Sequence, residues 1–243
     1  MKVFSSALFL LLWIFSFQSV ANVIINGTRV VYKSDQKEVT LSLFSENELP
    51  TLVQTWIDDG NSKIADQKKQ MQNVPFAIIP PMFRMEPQQG QTLRIIYTGK
   101  PLPIDRESVY WVNIFEIPPM AEDGQENSLQ IAYRSRIKLF FRPVEIGAKT
   151  TDELSKSLSF KLLNNNGLKL QIDNSSGQYI SFSTLKIKSE NRIYDVPVTE
   201  LGMIPPLSNK IYSLDNKFIK SRLNITYEII NDQGGSSIYN KEL

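Results

Sequence analysis

Short runs in which apolar and polar residues alternate recur along this chain, with turn residues between them. Lys37-Glu38-Val39-Thr40-Leu41-Ser42-Leu43 is one, and Leu52 to Ile57, Gln91 to Tyr97, Val109 to Ile117 and Leu129 to Phe141 are strand-like as well. The second half continues with Leu158 to Leu162, Leu168 to Ile172, Tyr179 to Ile187, Arg192 to Val198, Lys210 to Leu214 and Leu223 to Ile230. A period of two places alternate side chains on one face of a strand. No window sustains a 3.6-residue period with caps. Many short strands with frequent turns predict an all-β protein built from sandwiches.

The alternation stops after Arg142-Pro143. Ile146-Gly147-Ala148-Lys149-Thr150-Thr151 is polar, and Asp152 to Ser157 has room for one helical turn. This places a hinge at residues 144–151 and two domains, residues 22–147 and 148–243. Met1 to Ala21 reads as a signal peptide: Lys2 supplies the positive end, Ala7 to Phe17 the apolar stretch, and Ser19-Val20-Ala21 a small-x-small cleavage site. Its apolar core is short for a span of about 20 residues. Export of the mature chain is expected.

Composition narrows the chemistry. Among 243 residues there is no cysteine and no histidine. An exported chain without cysteines relies on its cores in place of disulfides. The commonest metal ligand and the commonest general base are both missing. No metal site, no cofactor and no enzymatic activity are expected. The formal net charge of +2 is too small to suggest nucleic acid. Lys68-Lys69 is the one notable cluster and reads as a solvated loop.

Four segments carry more information. Leu102 to Pro119, LPIDRESVYWVNIFEIPP, sets three charges, Asp105, Arg106 and Glu107, at the mouth of a β-branched and aromatic strand that Pro118 and Pro119 close. Gly27-Thr28-Arg29-Val30-Val31-Tyr32 lies near the start. Leu129 to Pro143 reads LQIAYRSRIKLFFRP, and Ile230-Asn231-Asp232-Gln233-Gly234-Gly235 lies near the end. In this order they resemble the periplasmic pilus-assembly chaperones of the chaperone–usher pathway, strongly in the first domain and more weakly in the second.

That resemblance implies two immunoglobulin-like β-sandwich domains in a boomerang arrangement, pilin subunits as partners, and an outer-membrane usher that receives them. It implies that Leu129, Ile131 and Tyr133, at i, i+2 and i+4, form an apolar comb filling the groove of a pilin that lacks its last strand. Leu139 and Phe141 are read as core. Arg29 and Lys138 correspond to the pair that grips the pilin's C-terminal carboxylate. Arg94, Glu107 and Asp232 correspond to an interdomain salt-bridge network. The short acidic loop from Met120 to Ser128 places the chain in the short-loop branch. The disulfide that the family often carries in its second domain cannot form here. An empty comb is an aggregation hazard, which leaves self-pairing of the free protein open. Two other readings are an exported enzyme using Asp105 and Glu107, or Asp58 and Asp59, as a carboxylate pair, and a two-domain adhesin or sugar-binding module that stacks Trp56 or Trp111 on a ligand.

Overall fold

The computed structural model describes residues 23–60, 74–119, 131–164, 167–189, 192–214 and 223–243. The predicted signal peptide, Lys68-Lys69, the loop from Met120 to Ser128 and Leu129 lie outside them. Among the described residues nine strands form a first sandwich: β1 (Val23–Ile25), β2 (Arg29–Lys33), β3 (Val39–Ser45), β4 (Thr51–Asp58), β5 (Phe76–Ile79), β6 (Met82–Met85), β7 (Gly90–Tyr97), β8 (Ser108–Ile117) and β9 (Tyr133–Arg142). A sheet in the order β1-β3-β7-β5 packs on one in the order β2-β9-β8-β4-β6. Alternate residues fill the space between: Leu41 and Leu43 on β3, Leu93 and Ile95 on β7, Val112 and Ile114 on β8, Ile137, Leu139 and Phe141 on β9.

The first two strands are one extended segment that changes sheets. β1 pairs with β3, and β2 pairs with β9 in parallel. The crossing falls at Gly27, whose φ of 128° is a conformation that side chains disfavour.

After β9 a 3-10 turn, Val144–Ile146, leads to the helix α1 (Thr151–Lys156). Thr150 and Glu153 form a capping box at its start. The single turn expected from Asp152 to Ser157 therefore forms, one residue earlier. The second sandwich follows: β10 (Leu158–Leu163), β11 (Lys169–Asn174), β12 (Ile180–Ser189), β13 (Arg192–Asp195), the short helix α2 (Val198–Leu201), β14 (Met203–Ile204), β15 (Ser208–Ser213), β16 (Leu223–Ile230) and β17 (Ser236–Glu242). Its sheets run β10-β11-β15 and β13-β12-β16-β17, with β14 on β12. Leu170, Ile172, Leu185, Ile187 and Ile225 form the centre of its core.

Candidate functional site

Register makes β9 unusual. β8 pairs with it from Tyr133 to Phe141, but β2 covers its other edge only from Lys138 to Arg142. Among the described residues, no strand pairs with that edge from Tyr133 to Ile137. Backbone donors and acceptors there are free for another strand. The side chains divide at the same place. Ile137, Leu139 and Phe141 lie in the core, as expected for the last two. Ile131 is 51% exposed and Tyr133 48% exposed, just where the unpaired edge begins.

Arg29 and Lys138 are direct register partners across β2 and β9, at the lower end of the free edge. Two cations are thus held side by side. The Arg29 guanidinium sits 5.9 Å from the centre of the Phe140 ring, and one of its Nη atoms donates to the Ile230 carbonyl of the second sandwich at 3.4 Å. Its Nε is buried without a partner. Burial lowers the Arg29 pKa, against the opposing pull of Asp232 and Glu107. Burial lowers the Lys138 ammonium too, and Arg29 beside it adds to the effect. The Lys138 ammonium has no carboxylate partner among the described residues. Such a pair calls for an anion.

The two sandwiches meet just below. Arg142, the last residue of β9, is buried. Its Nε donates to Glu107 Oε1 at 2.6 Å, and its two Nη atoms donate to Asp232 at 2.6 and 2.8 Å. The other Glu107 oxygen accepts from the Tyr179 backbone N–H at 2.8 Å. The Glu107 N–H donates to the Gly177 carbonyl at 2.8 Å. Gly177 is needed for that approach, because a Cβ there would lie 2.9 Å from the Asp105 carbonyl oxygen. The Tyr179 ring packs 5.6 Å from Phe140, so Phe140 is touched by Arg29 on one hand and the second sandwich on the other. Burial raises the Glu107 pKa although Arg142 and the Tyr179 N–H pull it down. Burial opposes the Arg142 charge, but the Asp232 and Glu107 carboxylates overcome it and raise its pKa.

The expected network is therefore corrected in one member. Glu107 and Asp232 are present, but Arg94 is not with them. Arg94 lies on β7, in the other sheet, between the core residues Leu93 and Ile95, so alternation turns it outward. It pairs there with Glu38 in an exposed bridge. Arg142 holds the place assigned to it. The signal was its position four residues after Lys138 on the same strand, hence on the same face.

The carboxylate pairs of the enzyme reading are engaged otherwise. Asp105 pairs with Arg106, and Glu107 belongs to the hinge. Asp58 is fully buried, paired with Arg136 and hydrogen-bonded to Asn113 Nδ2 at 2.8 Å. Among the described residues no cluster of three metal-ligating side chains occurs. Trp56 is 1% exposed and cannot stack on a ligand. Trp111 is stacked under the Arg136 guanidinium at 5.2 Å.

Comparison with known proteins fits this geometry. Residues 22–147 match the family model described as "Pili and flagellar-assembly chaperone, PapD N-terminal domain". Residues 153–241 match "Pili assembly chaperone PapD, C-terminal domain". The probable fimbrial chaperone YadV of Escherichia coli K12 is 34% identical over 227 residues, covering 91% of this chain and 90% of that protein. The chaperone protein FimB/FhaD of Bordetella pertussis is 38% identical over 225 residues, covering 90% and 87%. The crystal structure of YadV superposes with a TM-score of 0.76 at 33% identity, over 92% of this chain and all of that one. The SafB chaperone of Salmonella enterica, solved in complex with the SafA pilin, gives 0.75 at 27% identity, over 93% and 98%.

Proposed function

The chain belongs to the family of pilus-assembly chaperones, and on that premise we propose that it is a periplasmic protein that lends the free edge of β9 to an unfinished pilin subunit and passes the subunit to an outer-membrane usher. The observation that carries this reading is the coincidence of three features on one strand: an unpaired backbone edge, exposed apolar side chains at Ile131 and Tyr133, and a cation pair where the edge ends. Residues 22–147 supply all three, and residues 148–243 close the cleft behind them.

The direction of the added strand follows. A terminal carboxylate held by Arg29 and Lys138 lies at the C-terminal end of the free edge. The partner strand ends there, so it runs parallel to β9. Its backbone pairs along residues 133–137, each net hydrogen bond contributing roughly 0.5–1.5 kcal/mol. Ile131 and Tyr133, with Leu129 ahead of them in the same alternation, enter the subunit's groove. A one-residue slip would turn all of them out. The anchor prevents such a slip by fixing where the strand stops. The Arg142–Glu107–Asp232 network and the Gly177 contact hold the second sandwich at the cleft, which keeps Arg29 against Ile230 and Phe140.

The test is co-expression with a fimbrial subunit. Wild-type chaperone should raise the amount of intact subunit in the periplasm, and Arg29→Ala or Lys138→Ala should fold normally yet fail to do so. A variant lacking both cations that still protects the subunit from proteolysis overturns the assignment. A free-standing adhesin would leave subunit recovery unchanged.

A further inference from the structure

Four basic residues, Arg134, Arg136, Lys138 and Arg142, fall on even positions of β9, the face opposite the core residues Ile137, Leu139 and Phe141. Three of them have an assigned place. Arg142 is held by Glu107 and Asp232, and Arg136 pairs with the buried Asp58. Lys138 stands with Arg29 where the free edge ends. Arg134 differs. Among the described residues its guanidinium makes no ion pair and no hydrogen bond, and its Nη1 is buried without a partner.

The ladder limits where an acceptor can come from. On one side of Arg134 runs β8, with Phe115 as the register partner. Asn113 and Ile117 flank Phe115 on the same face of β8. None of the three is acidic, and the Asn113 amide nitrogen is committed to Asp58. On the other side, Arg134 lies within the unpaired stretch from Tyr133 to Ile137. A guanidinium is a planar fork of donors that matches a carboxylate, so its acceptor arrives with the added strand. The position on that strand follows from register. Arg29 occupies the place opposite Lys138. A strand added in line with β2 therefore stops opposite Arg136 or Ile137, and its residue opposite Arg134 is two or three before its last. Register partners share a face, so this side chain points outward while its neighbours turn into the groove.

We propose that Arg134 selects among partner strands, favouring those that carry a carboxylate on the outward-facing residue two or three positions before the C-terminus. Ile131 and Tyr133 then match the partner's apolar face, and Arg134 its polar one. This inference rests on the proposed lending of the β9 edge to a subunit.

The experiment titrates peptides calorimetrically into the whole mature chain. The probe is the C-terminal strand of a pilin recovered with the chaperone, made with Asp, Ala or Lys at each of the two positions. Wild type should bind the Asp form about 5- to 10-fold more tightly than the Ala form at the outward position, as expected of a charge-assisted hydrogen bond at a partly exposed site. The Lys form should bind more weakly than the Ala form. Asp one residue away, on the groove face, should gain nothing. In Arg134→Ala, and in Arg134→Gln, which keeps a stem against Phe115, the Asp and Ala forms should bind alike; this double-mutant comparison isolates the pair. Thermal melts verify that both variants are folded. Equal binding of Asp and Ala forms by wild type at both positions overturns the proposal, and so does an Asp preference that survives in Arg134→Ala. Each peptide is also made as its C-terminal amide. A wild type that ignores both the end group and the Asp overturns the proposed function and this selection together. One that prefers the free acid but ignores the Asp overturns the selection alone.

Discussion

Replacing Arg142 with Ala should damage the protein far more than replacing Asp232, although the two side chains share a salt bridge. Arg142 is buried and donates three hydrogen bonds to two carboxylates. Its removal leaves Glu107 3% exposed and charged, with only the Tyr179 N–H to support it. Breaking a buried pair from one side costs about 3–5 kcal/mol. For a chain of this length that is a fall in melting temperature on the order of 10 °C. The Asp232 side chain is 37% exposed. Water replaces it readily, and Arg142 keeps Glu107, so Asp232→Ala should cost no more than about 1 kcal/mol. Fluorescence makes the comparison clean, because the described tryptophans, Trp56 and Trp111, both lie in the first sandwich. Their melting transition reports on the domain that contains Arg142 and Glu107. Small-angle scattering should show a changed domain angle in both variants. Near-equal melting of Arg142→Ala and wild type, or equal losses in the two variants, would refute the view that Arg142 is the buried hub.

Ile131→Glu should leave the free chaperone within about 0.5 kcal/mol of wild type, since the site is half exposed, while subunit recovery from the periplasm falls to background; a large fall in melting temperature without pilin would show that the residue serves its own core. Arg94→Ala breaks only an exposed bridge to Glu38, so the melting temperature should stay close to that of wild type and the scattering profile should not change. Glu107→Gln tests the pH dependence. The folded-state pKa of Glu107 is raised above 4.5, so its contribution to stability is full below that pH and is lost as pH rises through the folded value. Urea midpoints measured upward from pH 4.5 should therefore fall less in the Gln variant than in wild type, and parallel profiles would contradict the raised value.

Period-two alternation made most strands legible, because half-buried strands announce themselves one residue at a time. β8 and most of β9 were readable in this way, and so was the same-face alternation of Ile131 and Tyr133. Strands such as β6 and β17, with weak alternation at sheet edges, gave no such signal. Charged residues were harder. Arg94 and Arg142 look alike in sequence, and choosing between them requires knowing which sheet each strand joins. Trp56 sits beside turn residues, yet the outward face of β4 on which it lies is covered by its neighbours.

A partner strand should add in parallel to the free edge of β9, its register set by a carboxylate held at Arg29 and Lys138. Calorimetric titration with a peptide matching the C-terminal strand of a pilin recovered with the chaperone tests it most directly, comparing the free acid with the C-terminal amide. The amide should bind about 10- to 100-fold more weakly, as expected for losing hydrogen bonds between charged groups, and acid and amide should bind alike once both cations are replaced by Ala. Equal affinity of the two peptides for the wild-type protein would contradict it.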